Sequence, residues 1–169
     1  MTSNDTVKLG IKRFTAKPEI KHQIVYSREH GIPTEDEVLY VGAFVIDIPS
    51  KVKNILPFWP NKYMHHVTLA YKPDQAFIDK MFIEEYIGEE SIITVCRVIH
   101  DHLGCTAIVM AEDELPCNSD TPHITIGTAE GIKPVYSNTL IVNYLGGYDD
   151  IFSADMSFDV DIRVGIMLK

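Results

Sequence analysis

Two short segments of the chain carry the same pattern. The first is His66-Val67-Thr68-Leu69 and the second His123-Ile124-Thr125-Ile126, starting 57 positions later. Both are rich in β-branched and aliphatic residues, which suits strands. Side chains alternate faces along a strand. His66 and Thr68 therefore share one face, with Val67 and Leu69 on the other. His123 and Thr125 are related in the same way to Ile124 and Ile126. Each strand is expected to bury its aliphatic pair and to present an imidazole with a hydroxyl two residues on. A single His-x-Thr-x would describe any core strand with a polar face. Two copies, each with aliphatics at both variable positions, read as an internal duplication.

The rest of the chain supplies strands to carry such a pair. Residues 20–27 (IKHQIVYS) read as a strand, 28–37 as a turn-rich connection and 38–48 (VLYVGAFVIDI) as a central strand. Ser50 is placed to cap a short helix that Pro57 ends. The first motif strand is expected over about 64–71. The run from Pro73 to Gly88 is the best helical pattern, with Phe77, Ile78, Met81 and Phe82 at helical spacing. Residues 91–101 and 104–113 read as two strands around a tight turn at His102-Leu103-Gly104. The second motif strand follows Pro122, and GIKPVYSN (131–138) reads as a loop. TLIVNYL (139–145) and the tail MSFDVDIRVGIML read as strands joined by a turn at GGYDD, with Phe158, Val160, Ile162 and Val164 on one face of the tail. The sum is strand-rich α+β, without a parallel β-α-β series.

Composition bounds what this scaffold can do. The 169 residues suit one domain, and 46% apolar content is enough for a sizeable core. Residues 1–21 are polar and weakly patterned and read as a loose or lid-like arm. No run of 18 uncharged apolar residues is present, and the N-terminus lacks the apolar core of a secretory signal, so a cytoplasmic protein without a membrane span is expected. Cys96, Cys105 and Cys117 have no C-x-x-C spacing and read as free thiols. The net charge of −9 argues against a protein that coats long nucleic acid through its overall field. It leaves room for a small anionic ligand in a local pocket. Residues 1–30 carry a net +3 and residues 139–169 a net −3, so a basic arm closing over a phosphate ligand and a solvated terminus are both consistent with the charge pattern.

Two histidines with two threonines across a cleft form a set suited to acid–base chemistry on phosphate. A neutral imidazole takes a proton from an attacking hydroxyl or water, and a protonated one gives a proton to a leaving alkoxide. Histidine does both near neutrality because its unperturbed pKa is ~6.5. Each such group typically contributes about 10²–10⁴-fold. Threonine hydroxyls donate hydrogen bonds to non-bridging phosphate oxygens, where transition-state charge collects. The scheme needs neither metal nor cofactor. The competing metal reading is weak in spacing: His65 and His66 point to opposite faces, and His100 and His102 fall at a strand end without a third ligand nearby.

The two H-x-T-x motifs resemble those of the 2H phosphoesterase superfamily. The flanking runs NKYMHHVTLAYKP and TPHITIGTAEGIKPVYSN are similar to the branch that includes RNA-ligase-associated cyclic phosphodiesterases, and most of all to phage anti-CBASS proteins, which degrade cyclic oligonucleotide signals. The resemblance spans about Pro60 to Asn138. It implies two pseudo-symmetric β-sheet lobes with flanking helices around a central cleft, each lobe supplying one motif. It implies that His66 and His123 are acid and base, in an order left open, and that Thr68 and Thr125 bind phosphate. The substrate class it implies is an RNA-like phosphodiester: a cyclic di- or trinucleotide such as 3′,3′-cyclic GMP-AMP, met in a host bacterial cytoplasm, or a 2′,3′-cyclic phosphate at an RNA end. A non-catalytic sponge for cyclic nucleotides is the alternative of a different class. Outside the motifs, Tyr71 and Trp59 are candidates for stacking on a base or for packing, Tyr63 for stacking on a base, and Tyr136 for touching ligand from its loop. Lys72, Lys62 and Lys133 are candidates for countering phosphate charge.

Overall fold

The computed structural model describes residues 23–110 and 115–169, and the expected arm at 1–21 lies outside the described residues. The elements in chain order are β1 (Ile24–Val25), β2 (Val38–Val45), α1 (Ser50–Lys53), β3 (Asn61–Lys62), β4 (His66–Tyr71), α2 (Gln75–Ile83), β5 (Glu90–His100), β6 (Gly104–Val109), β7 (His123–Thr128), α3 (Tyr136–Leu145), β8 (Phe152–Ala154) and β9 (Phe158–Leu168). All strand pairings among the described residues are antiparallel. The fold is α+β. The main strand path runs β3-β7-β6-β5-β9-β2-β4, with β1 on β9 and β8 on β5.

Its two halves are the two lobes. One is β9-β2-β4 and the other β5-β6-β7, joined where Glu90–Val95 of β5 pairs with Phe158–Arg163 of β9. In chain order each half of the sequence runs strand, motif strand, helix, long strand: β2, β4, α2, β5, then β6, β7, α3, β9. The long strands are exchanged. β2 pairs with β9 from the second half and β6 pairs with β5 from the first. The motif strands thus stand toward opposite ends of the path, each beside the strand that opens its own half.

Matching defects sit in the two motif strands. Along β2 and β4 the register passes from Gly42↔Thr68 to Val41↔Ala70, skipping Leu69. Along β6 and β7 it passes from Thr106↔Thr125 to Cys105↔Gly127, skipping Ile126. Each is a β-bulge at the fourth residue of its motif, a feature that bends and twists a strand locally. The two skipped carbonyls bond across the molecule. Leu69 O accepts from Asn118 N at 2.8 Å, and Ile126 O accepts from Tyr63 N at 2.9 Å. Met64 N adds a bond to Thr125 O at 2.8 Å. The segment before each motif strand is therefore tied to the other motif strand, and the sheet curls so that β4 and β7 meet.

Burial follows the expected alternation. Val67, Leu69, Ile124 and Ile126 are buried in a core shared with β2, β5, β9 and the inner face of α2, while the motif histidines and threonines are half-buried on the other side. Asp74 caps α2, accepting from Phe77 N at 2.9 Å, and Ile78, Met81 and Phe82 face inward.

Several local expectations differ from the structure. TLIVNYL is helical, as is the end of GIKPVYSN: α3 starts at Tyr136. The β-branched residues favour a strand locally, but Ser137, Leu140 and Ile141 recur at helical spacing and are buried, with Leu140 and Ile141 packed on Ile99. Docking of that stripe outweighs propensity. Ser50 makes no capping bond, because Pro49 occupies the cap position and Ser50 is already helical. Helix α2 ends at Ile83 rather than near Gly88, where Glu85 turns left-handed at φ 60°. The first motif strand starts at His66, since Met64 adopts φ 71° to reach Thr125. Of 20–27, only Ile24–Val25 pair as strand; residues 20–22 are outside the described residues.

Gly127 marks a close approach. A Cβ there would lie 2.4 Å from Trp59 Cβ. Gly127→Ala is expected to lower stability by about 1–3 kcal/mol, as overpacking of a tight contact does. A thermal melt checks this, and an unchanged midpoint would contradict the packing described.

Candidate active site

β4 and β7 turn their polar faces onto one cleft of about 910 Å³. His66, Thr68, His123 and Thr125 all line it. Period-two alternation aims each pair of side chains, and the crossed bonds at the bulges bring the pairs together.

The two histidines are held differently. Tyr40, on β2, stacks on His66 with ring centroids 4.6 Å apart and planes 19° from parallel. Its Oη lies 3.4 Å from His66 Nδ1, and Phe44 packs on the same imidazole at 5.7 Å. Burial under these rings, with smaller contributions from charge repulsion by His65 and His123, pushes the His66 pKa down to about 4. Among the described residues no aromatic ring stacks on His123. Its Nδ1–H donates to Thr121 O at 2.9 Å, which fixes the tautomer and leaves Nε2 as the lone-pair nitrogen of the neutral ring. Burial lowers the His123 pKa as well, and the Thr121 carbonyl partly offsets this.

The threonines also differ. Thr125 Oγ1 lies 2.8 Å from Ser137 Oγ, a buried hydroxyl in the first turn of α3. Thr68 makes no side-chain hydrogen bond to another described residue. Tyr63, His65 and Tyr71 line the first lobe's side of the cleft; His65 precedes β4, so strand alternation does not turn it to the face opposite His66 as expected. Asn118, Ser119, Pro134, Val135 and Asn138 also line it, and neither lysine nor arginine does so among the described residues.

The other candidates from the sequence divide. Tyr71 lines the cleft and is 63% exposed. Lys72 lies outside the lining, with Nζ 5.5 Å from the Tyr71 ring centroid. Trp59 is half-buried over Gly127 against the core. Tyr136 donates to Asp101 Oδ2 and leaves the lining to its neighbours. Lys62 Nζ donates to Trp59 O. His100 stacks on Phe152, and no group of three or more His, Cys, Asp or Glu converges among the described residues. Tyr40, Ser137 and Asn118 were not candidates from the sequence as site residues. Tyr40 lies 26 positions before His66, and no periodicity links the two.

Fold and paired motifs together define a phosphodiesterase of the 2H phosphoesterase superfamily. Residues 58–150 match the family model described as the fungal tRNA ligase phosphodiesterase domain, and the chain belongs to that family of cyclic phosphodiesterase domains. No curated protein matches the sequence. Among the described residues no helix is long and apolar enough to cross a membrane.

If ring cover is what depresses His66, Tyr40→Ala should restore water to the imidazolium and raise the His66 pKa from about 4 toward the ordinary ~6.5. Histidine NMR titration measures this. A value that stays near the wild-type one would show that the Tyr40 ring is not the cause.

Proposed function

We propose that the protein hydrolyses 3′–5′ phosphodiester bonds in small cyclic oligonucleotides, by acid–base catalysis without a metal ion. The observation that carries this reading is the facing of both His-x-Thr strands onto one roomy cleft. Tyr63, Tyr71 and His65 offer ring faces for bases. Among the described residues the cleft lining has neither lysine nor arginine, and the chain carries −9 overall. That favours a compact ligand over a long polyanion, whose binding rests on many phosphate contacts. The similarity of the motif flanks to phage anti-CBASS proteins supports a role in removing a bacterial defence signal. The second reading, opening of 2′,3′-cyclic phosphates at RNA ends, is favoured by the match to the tRNA ligase phosphodiesterase domain.

Roles follow from the two environments. His66 has the strongly lowered pKa and serves as base. In the tautomer whose Nδ1–H donates to Tyr40 Oη, 3.4 Å away, Nε2 takes the proton of a ribose 2′-hydroxyl or a water. That oxygen attacks phosphorus and the P–O5′ bond breaks, giving a 3′-phosphate when water attacks, or a 2′,3′-cyclic phosphate that a water then opens when the 2′-hydroxyl attacks. His123 serves as acid. The Thr121 carbonyl supports the imidazolium through Nδ1–H, so Nε2–H is delivered to the departing 5′-oxygen. The substrate's own phosphate charge favours the protonated His123 in the complex. Thr68 and Thr125 donate to the non-bridging oxygens.

The protein offered 3′,3′-cyclic GMP-AMP, a cyclic trinucleotide and an RNA ending in a 2′,3′-cyclic phosphate, all in EDTA, is expected to linearise the cyclic oligonucleotides. Opening of the RNA end alone would move the substrate to the second reading. Binding without product from any of the three would mark a sponge and contradict the acid–base scheme. His66→Ala and His123→Ala should each lower kcat by about 10²-fold or more in a folded protein. Near-wild-type turnover in either would remove its assigned role.

The pH profile has a definite sign. The active form has neutral His66 and protonated His123, so kcat/KM rises as pH climbs through the low His66 value of about 4. It falls as pH climbs through the His123 value, which lies below the ordinary one. The optimum is therefore expected on the acid side of pH ~6.5, with roughly a tenfold fall per unit above it. A rate constant that climbs steadily to pH 8 would contradict these assignments.

A further inference from the structure

Thr125 is one of two motif hydroxyls, and only it has a built partner among the described residues. Ser137 Oγ lies 2.8 Å from Thr125 Oγ1 and is 3% exposed. Thr125 and Asn138 line the cleft, whereas Ser137 does not. Ser137 therefore reaches ligand only through Thr125. A hydroxyl has one proton to give and two lone pairs to receive with. Two hydroxyls in contact have two arrangements. If Thr125 gives its proton to Ser137, nothing from that pair is left to donate into the cleft. If Ser137 gives its proton to Thr125, the Thr125 proton is free for a phosphate oxygen, and a hydrogen bond received strengthens the one donated. Ser137 is enclosed, and its Oγ makes no other hydrogen bond to a described residue. Thr125 alone faces a ligand, so an anionic phosphate selects the second arrangement.

The mounting of Ser137 suits this task. Its backbone N–H donates to Pro134 O at 3.0 Å, holding it in the turn that opens α3. The neighbouring Tyr136 hydroxyl donates to Asp101 Oδ2. Asp101 is itself buried in the β5–β6 turn and accepts from Leu103 N and Gly104 N at 2.8 and 3.0 Å. A buried carboxylate with three donors thus clamps the first turn of α3 to the sheet that carries Thr125.

We infer that Ser137 is a positioning residue that sets the Thr125 hydroxyl as a donor toward the scissile phosphate, held there by the Asp101–Tyr136 clamp. The inference rests on the phosphate-binding role given to Thr125 above. It makes Ser137 silent wherever Thr125 is absent, which a residue of merely structural importance would not be.

A double-mutant cycle on kcat and KM tests it, with 3′,3′-cyclic GMP-AMP as substrate, or with the RNA 2′,3′-cyclic phosphate if only that is opened. Thr125→Val should lower kcat about 10²-fold. Ser137→Ala should lower kcat about tenfold with KM within about twofold, the loss expected from one misdirected hydrogen bond. In the Thr125→Val background, Ser137→Ala should cost less than about twofold, because neighbours in one network are not additive. Ser137→Cys, nearly isosteric and a weak donor, should fall between wild type and Ser137→Ala, which separates donation from packing. Ser137→Ala within twofold of wild type, or a double mutant that loses the full product of both single effects, overturns the inference alone. Thr125→Val at the wild-type rate overturns it together with the role of Thr125.

Discussion

The two bonds that cross between the bulges hold this architecture together. A bulge leaves one residue out of its ladder, and here the residue left out is the fourth of each motif, Leu69 and Ile126. Their carbonyls would otherwise go unpaired near the core, which costs about 1–3 kcal/mol for each such group. Asn118 and Tyr63 supply the missing donors, and each comes from the segment that leads into the other motif strand. The partners are reciprocal, so the two lobes close onto each other. Without that closure the ends of the β7-β6-β5-β9-β2-β4 path would stand apart and the histidines would face separate surfaces.

Closure also sets the chemistry. A half-buried imidazole is harder to charge than one in water, so both histidines enter the cleft biased toward the neutral form. The bias is unequal because the local partners are unequal. His66 lies under an aromatic ring from β2, and His123 leans on the carbonyl of Thr121. The two copies of the motif are alike in sequence and in bulge position, yet their imidazoles and hydroxyls have different neighbours. Different partners around duplicated residues are a means of obtaining a base and an acid from the same side chain.

The sequence made some of this legible. The faces of His66, Thr68, His123 and Thr125 follow from alternation alone, as does the buried face of β9 at Val160, Ile162 and Val164. The bulges were not legible, because register depends on the partner strand. TLIVNYL fits a strand by composition and a helix by the spacing of Leu140, Ile141 and Tyr144, and only the surface under it decides. Ser137 falls in a stretch that reads as a loop, and only α3 brings its hydroxyl to Thr125. Trp59 was equally suited to stack on a base or to pack, and its position over Gly127 gives it to packing. Tyr40 lies within an apolar strand, with no local sign that its ring covers an imidazole 26 positions away.

Catalysis of this kind requires one phosphate to be met by both histidines at once. Imidazole resonances of His66 and His123, followed by NMR while a phosphorothioate analogue of 3′,3′-cyclic GMP-AMP is added, test it most directly. Both rings should shift together along one binding curve with a single Kd. A ligand that moves one ring and leaves the other in place, or moves them with different affinities, would contradict it.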